Sequence, residues 1–207
     1  MYLTRIWAGL LALTLLTNCG GDKTSTTTTA TDDASVPMSG SVNKLEQMAE
    51  QIAEDSKKEP VETVDFRSLK ELLPADAHGL ARREATGEKN GAMGFSVSTA
   101  EGRYANDDNS QRIRLAIMDT GGSGALMGLA AWSMIEVDRE TEQGYEKTTT
   151  VNGYKAFEKF NNTDQDGELA VMVDRRFVVT AKGRGVSMET LREVVGEVDL
   201  KKLSGLK

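Results

Sequence analysis

Few side chains in this sequence can do chemistry. There is one Cys, Cys19, and one His, His78. A single Cys leaves no internal disulfide and no multi-Cys metal site, and a single His leaves no His-based metal cluster. Chemistry therefore falls to carboxylates and hydroxyls. The segment Asp119-Thr120-Gly121-Gly122-Ser123-Gly124-Ala125 concentrates them in a glycine-rich turn. Asp119 could be one of two carboxyls that share a proton, but the sequence holds no second copy, so a homodimer would have to supply it. Ser123, set between glycines, could be a nucleophile raised on a sharp turn; that requires a downstream His, and His78 lies upstream. Gly122, Gly124 and Gly128 could let the backbone approach a dinucleotide phosphate, which requires a strand–helix–strand unit. A simpler role asks less, because amides at a helix start can hold an anion. His78 sits in a loop from Pro74 to Gly79 with no nucleophile to serve.

Each of these readings has a family behind it. Asp119-Thr120-Gly121 is similar to the aspartic-protease signature, with Gly122 where Ser or Ala is usual. Gly121-x-Ser123-x-Ala125 resembles a nucleophile elbow, and Gly122-x-Gly124 resembles a dinucleotide loop. The three are mutually incompatible, and their shared cause is a strand-to-helix turn capped by Ser or Thr. No catalytic residue is assigned, and a periplasmic hydrolase using Asp119 or Ser123 stands as the alternative. A second cluster, Asn162-Thr163-Asp164-Gln165-Asp166-Gly167, resembles the first half of a calcium loop, with oxygens at alternate positions and a Gly for the sharp turn. Asn162, Asp164 and Asp166 are its metal candidates. Val173 stands where the bidentate Glu belongs, so the ligand set is incomplete. The expected cofactor complement is none, with a calcium-stabilised structural module as a further alternative.

The elements that must position these residues follow from hydrophobic period. Asp65 can cap a short helix to Leu73, whose apolar face is Phe66, Leu69, Leu72 and Leu73, ended by Pro74. From Gly91 the period becomes two, with Met93, Phe95 and Val97 on one face of a strand running to Tyr104. Ile113, Leu115 and Ile117 then alternate with Arg112, Arg114 and Ala116, giving one buried and one wet face. Ala125 to Ile135 is apolar all round except Ser133, a pattern that buries a helix on both sides or turns it to an apolar partner. Gly121, Gly122, Ser123, Trp132 and Met134 are accordingly the candidate ligand or partner surface.

Asn152-Gly153 is the preferred two-residue hairpin turn. Counting outward pairs Val151 with Tyr154, Thr149 with Ala156, Lys147 with Glu158 and Tyr145 with Phe160 on one face. On the other it pairs Thr150 with Lys155, Thr148 with Phe157 and Glu146 with Lys159. A second hairpin turns at Asp174-Arg175 between Leu169–Val173 and Phe177–Val179. Ser187 caps a last helix with Leu191, Val194, Val195 and Val198 on its stripe, and Val186 can staple to Leu191. No strand–helix–strand crossover pattern is present, so the expected class is α+β, a largely antiparallel six-stranded sheet with helices packed on it. This element order is similar to that of PsbP-like α+β proteins. Such a likeness implies shape without activity.

The N-terminus reads as an export signal. Arg5 is its charge, and the apolar run Ile6 to Leu16 is too short for the roughly 20 residues that span a bilayer. Leu16-Thr17-Asn18-Cys19 resembles the lipobox of bacterial lipoproteins, departing from it at Asn18. The resemblance implies cleavage before Cys19, diacylglycerol on its sulfur and acylation of the new amine by a chain such as palmitate. The Gly after Cys19 resembles the outer-membrane sorting pattern. The expected organisation is a signal peptide over 1–18, a Thr-rich tether over 19–40, an amphipathic helix over 41–60 and a globular domain over 61–207. In the helix, Val42, Leu45, Met48 or Ala49, and Ile52 form a narrow stripe. Gly91-Ala92-Met93-Gly94, Asp119-Thr120-Gly121-Gly122, Gly128-Leu129-Ala130-Ala131-Trp132 and Val137-Asp138-Arg139-Glu140-Thr141-Glu142 also resemble segments of uncharacterised bacterial lipoproteins and periplasmic proteins.

Composition narrows the job. The net charge is −7, and cleavage would remove one more positive charge with Arg5. Aromatics are 5% of residues, too few for stacking bases or sugars along a surface. Both facts argue against nucleic acid as a partner. The expectation is a lipid-anchored bacterial envelope protein, facing the periplasm, that binds an envelope partner or apolar ligand without catalysis.

Overall fold

The turn at Asn152-Gly153 shows how local chemistry sets this fold. In the computed structural model, which describes residue 50 and residues 61–92, 95–122 and 132–207, Asn152 and Gly153 take left-handed φ values of 51° and 85°. Such a turn matches the right-handed twist of the strands it joins. The pairs counted outward from it are those observed, from Val151 with Tyr154 to Tyr145 with Phe160. The next turn works similarly. Asp174 and Arg175 take φ values of 49° and 54°, and the Arg176 amide closes the turn on the Val173 carbonyl at 3.1 Å.

The strands are β1 (Asp76–Ala77), β2 (Leu80–Ala92), β3 (Phe95–Ala105), β4 (Arg112–Asp119), β5 (Asp138–Thr141), β6 (Gly144–Val151), β7 (Tyr154–Asn161), β8 (Asp166–Val173) and β9 (Phe177–Arg184). They form one antiparallel sheet in the order β1-β2-β3-β4-β9-β8-β7-β6-β5. Two meanders thus meet at the centre, where β4 pairs with β9. The helices are α1 (Phe66–Lys70), α2 (Met188–Gly196) and α3 (Leu200–Ser204). All belong to the unit Met38–Lys207. No helix among the described residues is long and apolar enough to cross a membrane.

This architecture corrects the expected α+β class. The protein is mainly β, with nine strands among the described residues instead of six and, from residue 61 on, helices of 5, 9 and 5 residues. Three strands escaped the sequence pattern, the two-residue β1 among them. β2 is polar along most of its length and offers the core little beyond Leu80, Ala85 and Gly87, so it shows no period-two apolar signal. β5 is exposed throughout and lies at the sheet edge. The phase of β3 also differs from expectation. Val97 lies half-buried on one face, whereas the core face carries Ser98, Ala100, Gly102 and Tyr104 opposite Asp119, Ile117, Leu115 and Ile113. The expected helices at 41–60 and through most of 125–135 fall outside the described residues; residues 132–134 form a single 3-10 turn.

One face of the sheet carries the core. Leu115, Ala181 and Leu169 lie in register across it, as do Ile117, Val179 and Val171, all fully buried. α1 packs on β2, β3 and β4, α2 on β8 and β9, and α3 on β8. Ser187 caps α2 by accepting from the Thr190 amide at 3.1 Å. The helix seats closely because glycine faces it: a Cβ on Gly183 would lie 2.4 Å from Val186 and 2.8 Å from Leu191. Tyr104 and Tyr145 share this side, and burial pushes both phenols above their ordinary value. The folded state then holds those protons while the unfolded chain releases them. That contribution is intact below the ordinary tyrosine value of 10.0 and is lost as pH rises through the higher folded values. Thermal melts above pH 10.0 are expected to show a falling Tm, less steeply in Tyr104→Phe; equal slopes would contradict this.

Candidate functional site

Asp119 ends β4, fully buried. Its Oδ1 accepts from the Gly121 amide at 2.8 Å and from Arg176 Nε at 2.8 Å. Its Oδ2 accepts from the Val64 amide at 2.9 Å and from Arg176 Nη2 at 2.8 Å. The bidentate bonds push the Arg176 guanidinium above its ordinary value. Arg176 also donates to the carbonyls of Glu62 and Leu206 at 3.2 and 3.5 Å. The Thr120 hydroxyl donates to the Arg176 carbonyl at 2.8 Å, and the Val61 amide donates to the Gly121 carbonyl at 3.1 Å. Asp119 therefore clamps the chain before α1, the end of β4, the β8–β9 turn and the C-terminus together. Both its oxygens are engaged, and no oxygen points to a substrate. Ser123 lies outside the described residues, as does Cys19.

The remaining predicted residues are dispersed. Gly121 is buried, with φ 62°, and a Cβ there would lie 2.4 Å from the Val61 carbonyl oxygen; Gly122 is half-buried with φ 65°. Trp132 stacks at a tilt on Phe157, ring centroids 6.1 Å apart, and covers Met172 and Val178; Met134 is half-buried. His78 is exposed in the turn between β1 and β2, with Nδ1 2.7 Å from Glu193. In the 162–167 loop, Asn161 Oδ1 accepts from the amides of Thr163 and Asp164 at 2.8 and 3.2 Å. Asn162 and Asp164 are exposed. Asp166 lies in β8, where Arg184 grips both its oxygens at 3.0 and 3.2 Å and holds it below the usual carboxylate range. Among the described residues, no group of three or more His, Cys, Asp or Glu could hold a metal ion.

The site that the motif reading missed lies on the sheet face opposite the helices. One cross-strand row there reads Glu84, Arg103, Arg114, Lys182, Glu168, Lys159, Glu146 and Arg139, from β2 to β5. The next row carries Ala105, Arg112, Arg184, Asp166 and Asn161. Together they line a groove of about 680 Å³ that also reaches Arg83 and Asn109. Seven of its lining residues are cations and two are anions, in a chain whose net charge is −7. Six of the seven have carboxylate partners. Arg83 pairs with Asp107, Arg103 with Glu84 and Glu101, Arg114 with Glu101, Lys159 with Glu146, Lys182 with Glu168 and Arg184 with Asp166. Arg112 is exposed and makes no ion pair or side-chain hydrogen bond among the described residues; it acts on Asp166 only through space. The signal was present in the sequence as Arg112-x-Arg114 and Lys182-x-Arg184, cations at strand period.

No protein-family model, curated protein or solved structure matches the chain.

Proposed function

We propose that this protein is a non-enzymatic binding module of the bacterial envelope, anchored by lipid at Cys19 and presenting the open face of its sheet to a ligand or partner. The observation that carries the binding part is the asymmetry of the sheet. One face is sealed by helices, while the other holds a cation-lined groove of about 680 Å³. Of the polar residues that could have argued for catalysis or calcium, Asp119 is committed to Arg176 and Asp166 to Arg184. The anchor part is supported by the lipobox-like Leu16-Thr17-Asn18-Cys19 and by the six threonines between Thr24 and Thr31, a composition suited to a tether. Several acyl chains on one Cys make release slow, since each buried methylene adds roughly 0.8 kcal/mol.

The anchor is tested by metabolic labelling with a palmitate analogue and by fractionation. The wild-type chain is expected to take up the label and sediment with membranes, and Cys19→Ala to lose both. An unmodified thiol at Cys19, or a mature form that begins elsewhere, would overturn it. Pull-down from membranes with the lipidated chain, set against Cys19→Ala, then recovers the envelope partner.

A further inference from the structure

We infer that the groove on the open face is an oxyanion site, built around Arg112, Arg114, Lys182 and Arg184, that takes a soluble phosphorylated ligand. The inference rests on reading that face as the binding face. Its first support is a cost in the fold. Arg103 stands directly opposite Arg114, Arg114 opposite Lys182, and Arg112 opposite Arg184. Like charges in directly opposed positions destabilise a sheet, and here three such pairs sit on its central strands, with only Arg103 and Arg114 bridged by a shared carboxylate, Glu101. An acidic chain that gathers cations against this repulsion is paying for something other than stability, as sites do.

The second support is geometry. Arg112 makes no ion pair or side-chain hydrogen bond among the described residues, and Ala105, its neighbour on β3, leaves room beside it. Arg184 lies directly across, and Arg114 is two residues along β4 on the same face, roughly 7 Å away at strand rise. Three arginines thus stand on one face of two neighbouring strands. Their planar forks match tetrahedral oxyanions bidentately. The existing partners do not block the site, because exposed ion pairs are weak and a guanidinium with five donors can keep one carboxylate while taking a second anion. The groove lining includes no exposed aromatic side chain, so the recognised part is the phosphate.

The test uses the full chain carrying Cys19→Ala in nonionic detergent, with pyrophosphate as probe. Failure of the groove then reads separately from failure of the anchor. Calorimetry at low salt is expected to show saturable one-site binding that weakens steeply as salt is raised. Arg112→Gln is expected to weaken it at least tenfold. Its Tm should stay equal to or above that of the parent, because the substitution removes a like-charge pair and breaks no bond. Absence of pyrophosphate binding would overturn the inference, as would binding that Arg112→Gln leaves unchanged. Binding only to vesicles containing phosphatidylglycerol, with none to pyrophosphate, would overturn it in favour of a membrane-facing surface.

Discussion

Asp119→Asn is expected to cost about 3–5 kcal/mol of folding stability, the range for breaking a buried ion pair from one side. The carboxylate is fully buried and accepts four hydrogen bonds. An amide of the same shape has one acceptor oxygen, and its NH₂ would face donors that it cannot satisfy. Arg176, only 16% exposed, would be left with a buried charge and no counterion. For a domain of this size that corresponds to a Tm lower by about 6–20 °C. The expectation separates the two roles of this residue. An acid held in place for catalysis is commonly a site of strain, where neutralisation raises stability while activity is lost. A clamp loses stability outright. A Tm within about 2 °C of the parent would show that the clamp contributes little. The double variant Asp119→Leu/Arg176→Met should recover part of the loss, since it removes both charges. It cannot recover all, because the Val64 and Gly121 amides would still lack their acceptor.

The Asp119 example also shows what the sequence could tell. The residue attracted notice because it stands in a glycine-rich turn after a strand, and the structure gives that turn a mechanical cause. Gly121 and Gly122 take left-handed φ, and Gly121 passes against the Val61 carbonyl, where a Cβ would collide. The partner that determines the role of Asp119 is Arg176, 57 residues away. Local spacing carries no information about such a pair. The hairpin at Asn152-Gly153 lies at the opposite extreme. Its turn type, strand pairing and facing are all local, so counting outward gave the observed register.

Strand number failed for a related reason. Past Leu80, β2 packs through Ala85 and Gly87, and a Cβ on Gly87 would meet the Phe66 ring at 2.5 Å. A strand whose core contact is made by the absence of side chains has no apolar alternation to read. The groove was hidden differently. Arg112 and Arg114 were visible as the wet half of an alternating strand, but the sheet order that sets β4 beside β9 was not. Only that order places Arg112 opposite Arg184 and turns two solvated faces into one basic surface. The overall charge of −7 pointed away from such a surface because it averages over the chain.

A second buried ion pair makes a sharper prediction because its partners differ in exposure. Glu158 on β7 is 1% exposed, and Arg192 on α2 grips it through Nε at 2.7 Å and Nη2 at 2.8 Å. The arginine side chain is 34% exposed and also donates to Glu189 at 3.0 Å. The pair ties the helix to the sheet, but the two truncations are not equivalent. Arg192→Ala strands a carboxylate with only Lys147 at 3.7 Å and the Tyr145 hydroxyl at 3.5 Å beside it. That loss should lie near 3–5 kcal/mol. Glu158→Gln leaves a guanidinium that keeps Glu189 and reaches water, so its cost should be nearer the 1.5–3 kcal/mol of a charged hydrogen bond. Denaturant melts of the two variants test the order, and equal losses would mean that Lys147 closes onto Glu158 when Arg192 is gone. Hydrogen exchange locates the effect. In Arg192→Ala the amides of α2 should lose protection before those of β4 and β9, because the helix is held by this clamp and by Leu191, Val194 and Val195, whereas the central strands are bonded on both edges. The groove face, which this helix does not touch, should keep its pyrophosphate affinity as long as the sheet remains folded.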